Sequence, residues 1–112
     1  METSLIRPEE ATMAVILMQT LPDGMPIAML DAVTVNMDAK ANPPVGLIVH
    51  THYEEDGRVR IMDVWESEQA YRTFREERLM PAMQQVASES GMDLGDQPEY
   101  RVVDVHDFVR GN

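Results

Sequence analysis

The dipeptide Asp56-Gly57 lies between two apolar runs, Val45–Tyr53 and Arg58–Trp65, and constrains this chain more than any other short feature. Both residues tolerate the positive φ of a type I′ turn, whose twist matches that of two paired strands. The runs are therefore expected to form a β-hairpin with Glu54 to Gly57 between them. A two-residue turn pairs Glu55 with Arg58 and fixes the register inward: His52 opposite Ile61, His50 opposite Asp63, and Ile48 opposite Trp65. Opposite residues share a face and side chains alternate with period two, so these six are expected together on one side of the sheet. The other side carries Leu47, Val49, Thr51, Met62 and Val64.

The rest of the chain can be placed around this hairpin. Met1–Ala11 is polar, contains Pro8 and has no period, and reads as a flexible lead; residues 12–112 are read as a single domain. Thr12–Thr20 is apolar without polar alternation, the pattern of a strand buried on both faces. Pro22, Asp23 and Gly24 signal a turn, and Pro26 suits the first turn of a helix. Ile27–Met37 then places Leu30, Val33, Thr34 and Met37 on one helical face. Its polar face is so thin that cover on more than one side is expected. Ser67 is a good N-cap for a second helix running to about Ser90, with Tyr71 and Phe74 on one face. Pro81 is expected to kink or divide that helix, and Gly91 to stop it. Glu99–Val109 reads as a fourth strand. The order β-α-β-β-α-β is that of a ferredoxin-like α+β fold, a four-stranded antiparallel sheet with two helices on one face.

Composition matters mainly for what it excludes. Twenty acidic against nine basic residues, a net charge of −11, disfavour nucleic-acid phosphates and anionic membrane surfaces. The hydrophobic fraction of 44% supports a packed core despite that charge. The absence of cysteine excludes disulfides, thiolate metal sites and cysteine nucleophiles. No apolar run approaches the roughly 20 residues that span a bilayer. The N-terminus also lacks the basic start and apolar core of a signal peptide, so a cytoplasmic protein is expected. If both helices sit on the His50 face, the second apolar face of the hairpin has no layer left to cover it. Two-fold pairing with another copy is the commonest remedy, and a homodimer is expected.

The stretch DVWESEQAYRTF, set in this order of elements, resembles the antibiotic biosynthesis monooxygenase family and the wider dimeric α+β barrel superfamily over roughly Met13 to Val109. The resemblance implies a homodimer in which two sheets meet as a barrel, with a pocket between sheet and helices in each subunit. In the quinone-forming monooxygenases of that family, which oxidise aromatic polyketide phenols without metal or flavin, a Trp and a Tyr six residues later line the substrate pocket. Trp65 and Tyr71 match those positions. A pocket Asn four residues before the Trp is part of the same pattern, and Ile61 stands there instead. That departure removes a polar group that would help orient oxygen or an enolate. Haem-degrading relatives carry a ligand His on the second helix, and Ser67–Ser90 contains none. No cofactor is implied.

Two sets of chemistry-bearing residues lie on the hairpin. His50 opposite Asp63, on the face of Trp65, has the form of an acid/base dyad, the carboxylate fixing the imidazole tautomer and raising its basicity. The same pair can equally satisfy two buried polar groups with no chemistry. His50 and His52 form an H-x-H half-site with Asp63 as a candidate carboxylate ligand. A metal needs a further ligand and His106 is the only other histidine, so no metal is assigned. Trp65, Tyr71, Ile48, Ile61, His52, Phe74 and Leu30 are the candidate walls of an apolar pocket for a hydrophobic small molecule, although each also serves as ordinary core. The ten methionines fit an adaptable pocket and equally a common core. The expectation is a small enzyme that removes a phenolic or enolic proton from an aromatic or polyketide-like molecule, as the first step of a cofactor-independent monooxygenase-type oxidation. A cyclisation or isomerisation uses the same parts, and an accessory protein that only binds such a ligand uses the same pocket.

Overall fold

The computed structural model describes residues 14–92, 99–109 and 111. The expected lead Met1–Ala11, the first residues of the expected strand from Thr12, and most of the loop before the last strand lie outside the described residues. In chain order the elements are β1 (Val15–Thr20), α1 (Ile27–Met37), β2 (Leu47–Glu55), β3 (Arg58–Trp65), α2 (Glu68–Phe74), a π-helical turn (Arg75–Leu79), α3 (Met80–Ser90) and β4 (Tyr100–Asp104). The strands form one antiparallel sheet in the order β2-β3-β1-β4. The helices cover one face of it, which is the ferredoxin-like α+β arrangement.

The turn forms as its residues dictate, with φ of 54° at Asp56 and 76° at Gly57. From it the register runs as expected through Glu55↔Arg58, His52↔Ile61 and His50↔Asp63. It then shifts between Leu47 and Val49, so that Leu47, not Ile48, stands opposite Trp65. The cause lies just upstream. Gly46 takes a φ of +87°, and its missing side chain lets α2 approach so closely that a Cβ there would sit 2.6 Å from the Ala70 Cβ. Its carbonyl also accepts a hydrogen bond from the Glu66 N–H at 2.8 Å. The strand can begin only after this left-handed residue, and Ile48 becomes the extra residue of a β-bulge. Strand two accordingly starts at Leu47, two residues later than the apolar run.

β1 shows a second departure. Val15 and Leu17 are buried beneath the helices, but Ile16 and Met18, on the opposite face, are only half-buried. Among the described residues the outer face has no second layer, and Val49, Met62 and Val103 there are 47%, 43% and 39% exposed. β4 is shorter than expected, ending at Asp104.

Three packed clusters hold the helices down. Met29 and Val33 of α1 interlock with Ala82, Met83, Val86 and Ala87 of α3. Leu30 turns to Leu21 and Val59 of the sheet, and Trp65 and Tyr71 pack with Val15 and Leu17. Full burial of each large apolar side chain contributes about 1.5–3 kcal/mol. α1 is covered on two flanks, as its thin polar face led one to expect, while its outer side stays open, with Val35 79% exposed. The second helical run begins at Ser67, whose hydroxyl accepts the Ala70 N–H at 3.0 Å, and ends at Gly91 in the left-handed conformation. Its irregularity comes one turn before Pro81. The Met80 N–H reaches back to the Arg75 carbonyl, a five-residue span. Widening the turn over Arg75–Leu79 accommodates a proline ring that would otherwise press on the carbonyl four residues earlier. Among the described residues no helix is long and apolar enough to cross a membrane.

Candidate functional site

A cavity of about 450 Å³ opens between the inner face of the sheet and the helices, within the range of small-molecule sites. β3 supplies Ile61, Asp63 and Trp65; β2 supplies Leu47, His50 and His52; α1 supplies Leu30, Val33, Thr34 and Met37. Tyr71, Phe74 and Leu79 close it from the second helical run, and Ala39, Lys40 and Pro44 from the loop after α1. Arg78 ties that loop to the π-helical turn, its guanidinium donating to the carbonyls of Met37 and Asn42 at 2.8 Å each.

The aromatic wall is built around Trp65, which is 1% exposed. Its ring meets Tyr71 edge-on at 5.6 Å between centroids and Phe74 at 5.2 Å, the spacing of favourable aromatic pairs. Burial pushes the Tyr71 phenol up to about 12, against the opposing pull of Arg75 and with smaller raising effects from Tyr100 and Asp63. Tyr71 therefore presents a neutral hydroxyl at neutral pH and offers no phenolate base.

The polar wall centres on Asp63, which is 4% exposed. One carboxylate oxygen meets His50 Nδ1 at 2.8 Å and accepts the Thr51 N–H at 3.3 Å; the other accepts the Trp65 indole N–H at 3.1 Å. Three partners satisfy a group that would otherwise be costly to bury. They also fix the His50 ring, since a carboxylate at Nδ1 makes that nitrogen the N–H donor and leaves Nε2 with the lone pair. His50 Nε2 lies 2.9 Å from His52 Nδ1.

Of the residues singled out from the sequence, His50, Asp63, Trp65, Tyr71, Ile61, His52, Phe74 and Leu30 all line this one cavity. Ile48 does not, because the bulge removes it from the inner face and Leu47 takes its place. His106 lies exposed beyond β4 and is not among the cavity residues. Among the described residues, no group of three or more His, Asp or Glu side chains is placed to hold a metal ion. The reading from sequence missed Asp31, which meets His52 Nε2 at 2.9 Å from α1. A signal was present: Asp31 is the sole charged residue in the helix Ile27–Met37.

Comparison with known proteins reveals the fold and little else. No family model matches the sequence, and no curated protein matches it. Among solved structures, the chain is similar to a monooxygenase from the gene ActVA-Orf6 of Streptomyces coelicolor, in complex with the ligand nanaomycin D. The TM-score is 0.55 and the identity 20%, over 91% of this chain and 95% of that one. SnoaB, a cofactor-independent oxygenase from Streptomyces nogalater, gives a TM-score of 0.55 and 15% identity over 88% and 97% of the two chains. A protein of unknown function from Nitrosomonas europaea gives 0.59 and 14% over 90% and 95%. The fold is thus one that antibiotic biosynthesis monooxygenase-type proteins share.

Proposed function

We propose that this protein is a cofactor-independent enzyme that binds an apolar aromatic or polyketide-like molecule in the cavity beneath Trp65 and starts its reaction by removing a phenolic or enolic proton. The single observation that carries this reading is the His50–Asp63 pair at 2.8 Å in the wall of a mostly apolar cavity. A base set by a buried carboxylate beside an aromatic wall suits a substrate that is flat, hydrophobic and weakly acidic. His50 is the base and Asp63 orients it; Trp65, Tyr71, Phe74, Ile61, Leu30 and His52 contact the substrate.

The phenolate or enolate so formed is electron-rich and reacts with dioxygen. For a phenol going to a quinone, one oxygen atom enters the product as the new carbonyl, the other leaves as water, and no outside reductant is needed. Two neighbours in fold are a monooxygenase and a cofactor-independent oxygenase, which supports this order of events. One residue favours a second outcome. Ile61 gives the cavity an apolar side chain where the resembling oxygenases hold an Asn, and an enolate with no such partner can cyclise or isomerise instead. Oxygen uptake with a panel of polycyclic phenols and hydroquinones decides between them. Uptake matched to quinone formation supports the oxidation, conversion without uptake assigns cyclisation or isomerisation, and neither binding nor conversion across the panel overturns the reading.

The working form is a homodimer that pairs the outer faces of two sheets. The exposed Val49, Met62 and Val103 on that face support this, since such an apolar surface is rarely left to water.

A further inference from the structure

The His50–Asp63 pair is the inner half of a longer chain of contacts. His50 Nε2 lies 2.9 Å from His52 Nδ1, and His52 Nε2 lies 2.9 Å from Asp31 Oδ1. The order Asp63, His50, His52, Asp31 runs from a carboxylate side chain 5% exposed in the cavity wall, through rings 36% and 16% exposed, to one 65% exposed on α1.

Counting protons shows what three simultaneous hydrogen bonds along this chain require. A carboxylate only accepts, and a neutral imidazole brings one N–H. Three consecutive hydrogen bonds need three protons, and two neutral rings bring two. A third proton would make His50 and His52 a single imidazole–imidazolium unit with one positive charge between two carboxylates. A fourth proton would place N–H groups on both facing nitrogens and break the central bond. The single charge also answers the buried Asp63, whose ion pair is with His50. The groups that face the unit are Asp63 from β3, Asp31 from α1 and, across the cavity, Lys40 from the loop after α1 and the Tyr71 hydroxyl from α2.

We infer that His50, His52 and Asp31 form a one-proton relay, with Asp31 as the port through which a proton taken up in the cavity leaves for solvent. In the form holding two protons the central contact holds none, and the His50 Nε2 lone pair, on a ring still held by Asp63, is open to a substrate hydroxyl that reaches it. The substrate O–H bond breaks and an N–H bond forms at His50 Nε2. That proton passes to His52 Nδ1 as the His52 Nε2 proton passes to Asp31 and on to water, and exchange with solvent then moves the His52 proton from Nδ1 back to Nε2 before the next turnover. Asp31 touches no substrate and acts through His52, as a positioning residue. The use of the relay in turnover rests on the proton abstraction proposed above; the shared proton does not.

The test is imidazole nitrogen–proton correlation NMR on ligand-free, uniformly 15N-labelled protein, with the exposed His106 as internal reference. The wild type should show fixed protons on His50 Nδ1 and His52 Nε2 and one low-field, exchange-protected proton shared by the two facing nitrogens. Asp31→Ala, an exposed helical site, leaves two contacts that two neutral rings satisfy, so the fixed proton on His52 Nε2 should vanish while the proton between the facing nitrogens becomes localised on His52 Nδ1. Rings that each take up a proton independently, or spectra unchanged by Asp31→Ala, overturn the relay. In turnover, Asp31→Ala should lower kcat at least about tenfold, part of the 10²–10⁴ that a positioned proton-transfer group contributes. KM should be unchanged, with rescue by Asp31→Glu or by added formate. An unchanged kcat overturns the port even where the shared proton is seen. Absence of turnover in the wild type fails the enzymatic reading alone, because the ligand-free spectra still decide whether the proton is shared.

Discussion

Burial raises the Tyr71 phenol to about 12, so the folded chain keeps that proton to higher pH than the unfolded chain does. The resulting stability is fully present below the unfolded value near 10 and is lost as pH rises through about 12. On the order of 2 kcal/mol should disappear across that window. Denaturant unfolding at pH 9 and pH 11 checks this, and Tyr71→Phe should flatten the difference between the two. At this scale the sequence was informative wherever register alone decides. His50 and Asp63 lie 13 positions apart, and their meeting was legible because a single turn fixes the pairing between them. Asp31 was not legible in the same way. Its contact with His52 spans 21 positions and depends on how α1 lies across the sheet, which no local pattern specifies.

Elements were legible where each boundary has its own chemistry. Asp56-Gly57, Ser67 and Gly91 each supply the turn or cap their position needs, and all three stand where expected. Boundaries set by a neighbouring element were not. The bulge at Ile48 depends on Gly46 lying against Ala70 of a helix that follows later in the chain, and a strand read by itself gives no sign of that contact. The π-helical turn is a similar case: Pro81 announces an irregularity, but the relief is taken up one turn earlier, over Arg75–Leu79. Gly46→Ala should therefore be costly, through both the strained left-handed φ and the clash, by about 2–3 kcal/mol. Urea unfolding gives the number, and Ala70→Gly in the same chain should recover the part due to the clash. Equal destabilisation with and without Ala70→Gly would assign the whole cost to the backbone conformation.

At the scale of the molecule, the exposed outer face of the sheet and the net charge of −11 pull in opposite directions. Charge keeps chains apart and the apolar face draws them together. Light scattering over a dilution series should give a mass of about 25 kDa, twice the chain's 12.7 kDa. A stable monomer would contradict the pairing of outer faces. The cavity, with its mostly apolar walls and one buried carboxylate, explains why the fold was more legible than the reaction. Strand order and helix cover follow from periodicity and turns, whereas the fate of an enolate depends on single polar groups such as the one Ile61 lacks. We propose that the imidazole held by Asp63 starts the chemistry. The most direct test is turnover of a bound phenolic substrate by wild type and His50→Ala, with binding of each measured separately. Binding within a few-fold of wild type and a rate lower by about 10²–10⁴ are expected; a His50→Ala variant that turns over at the wild-type rate would rule out His50 as the base.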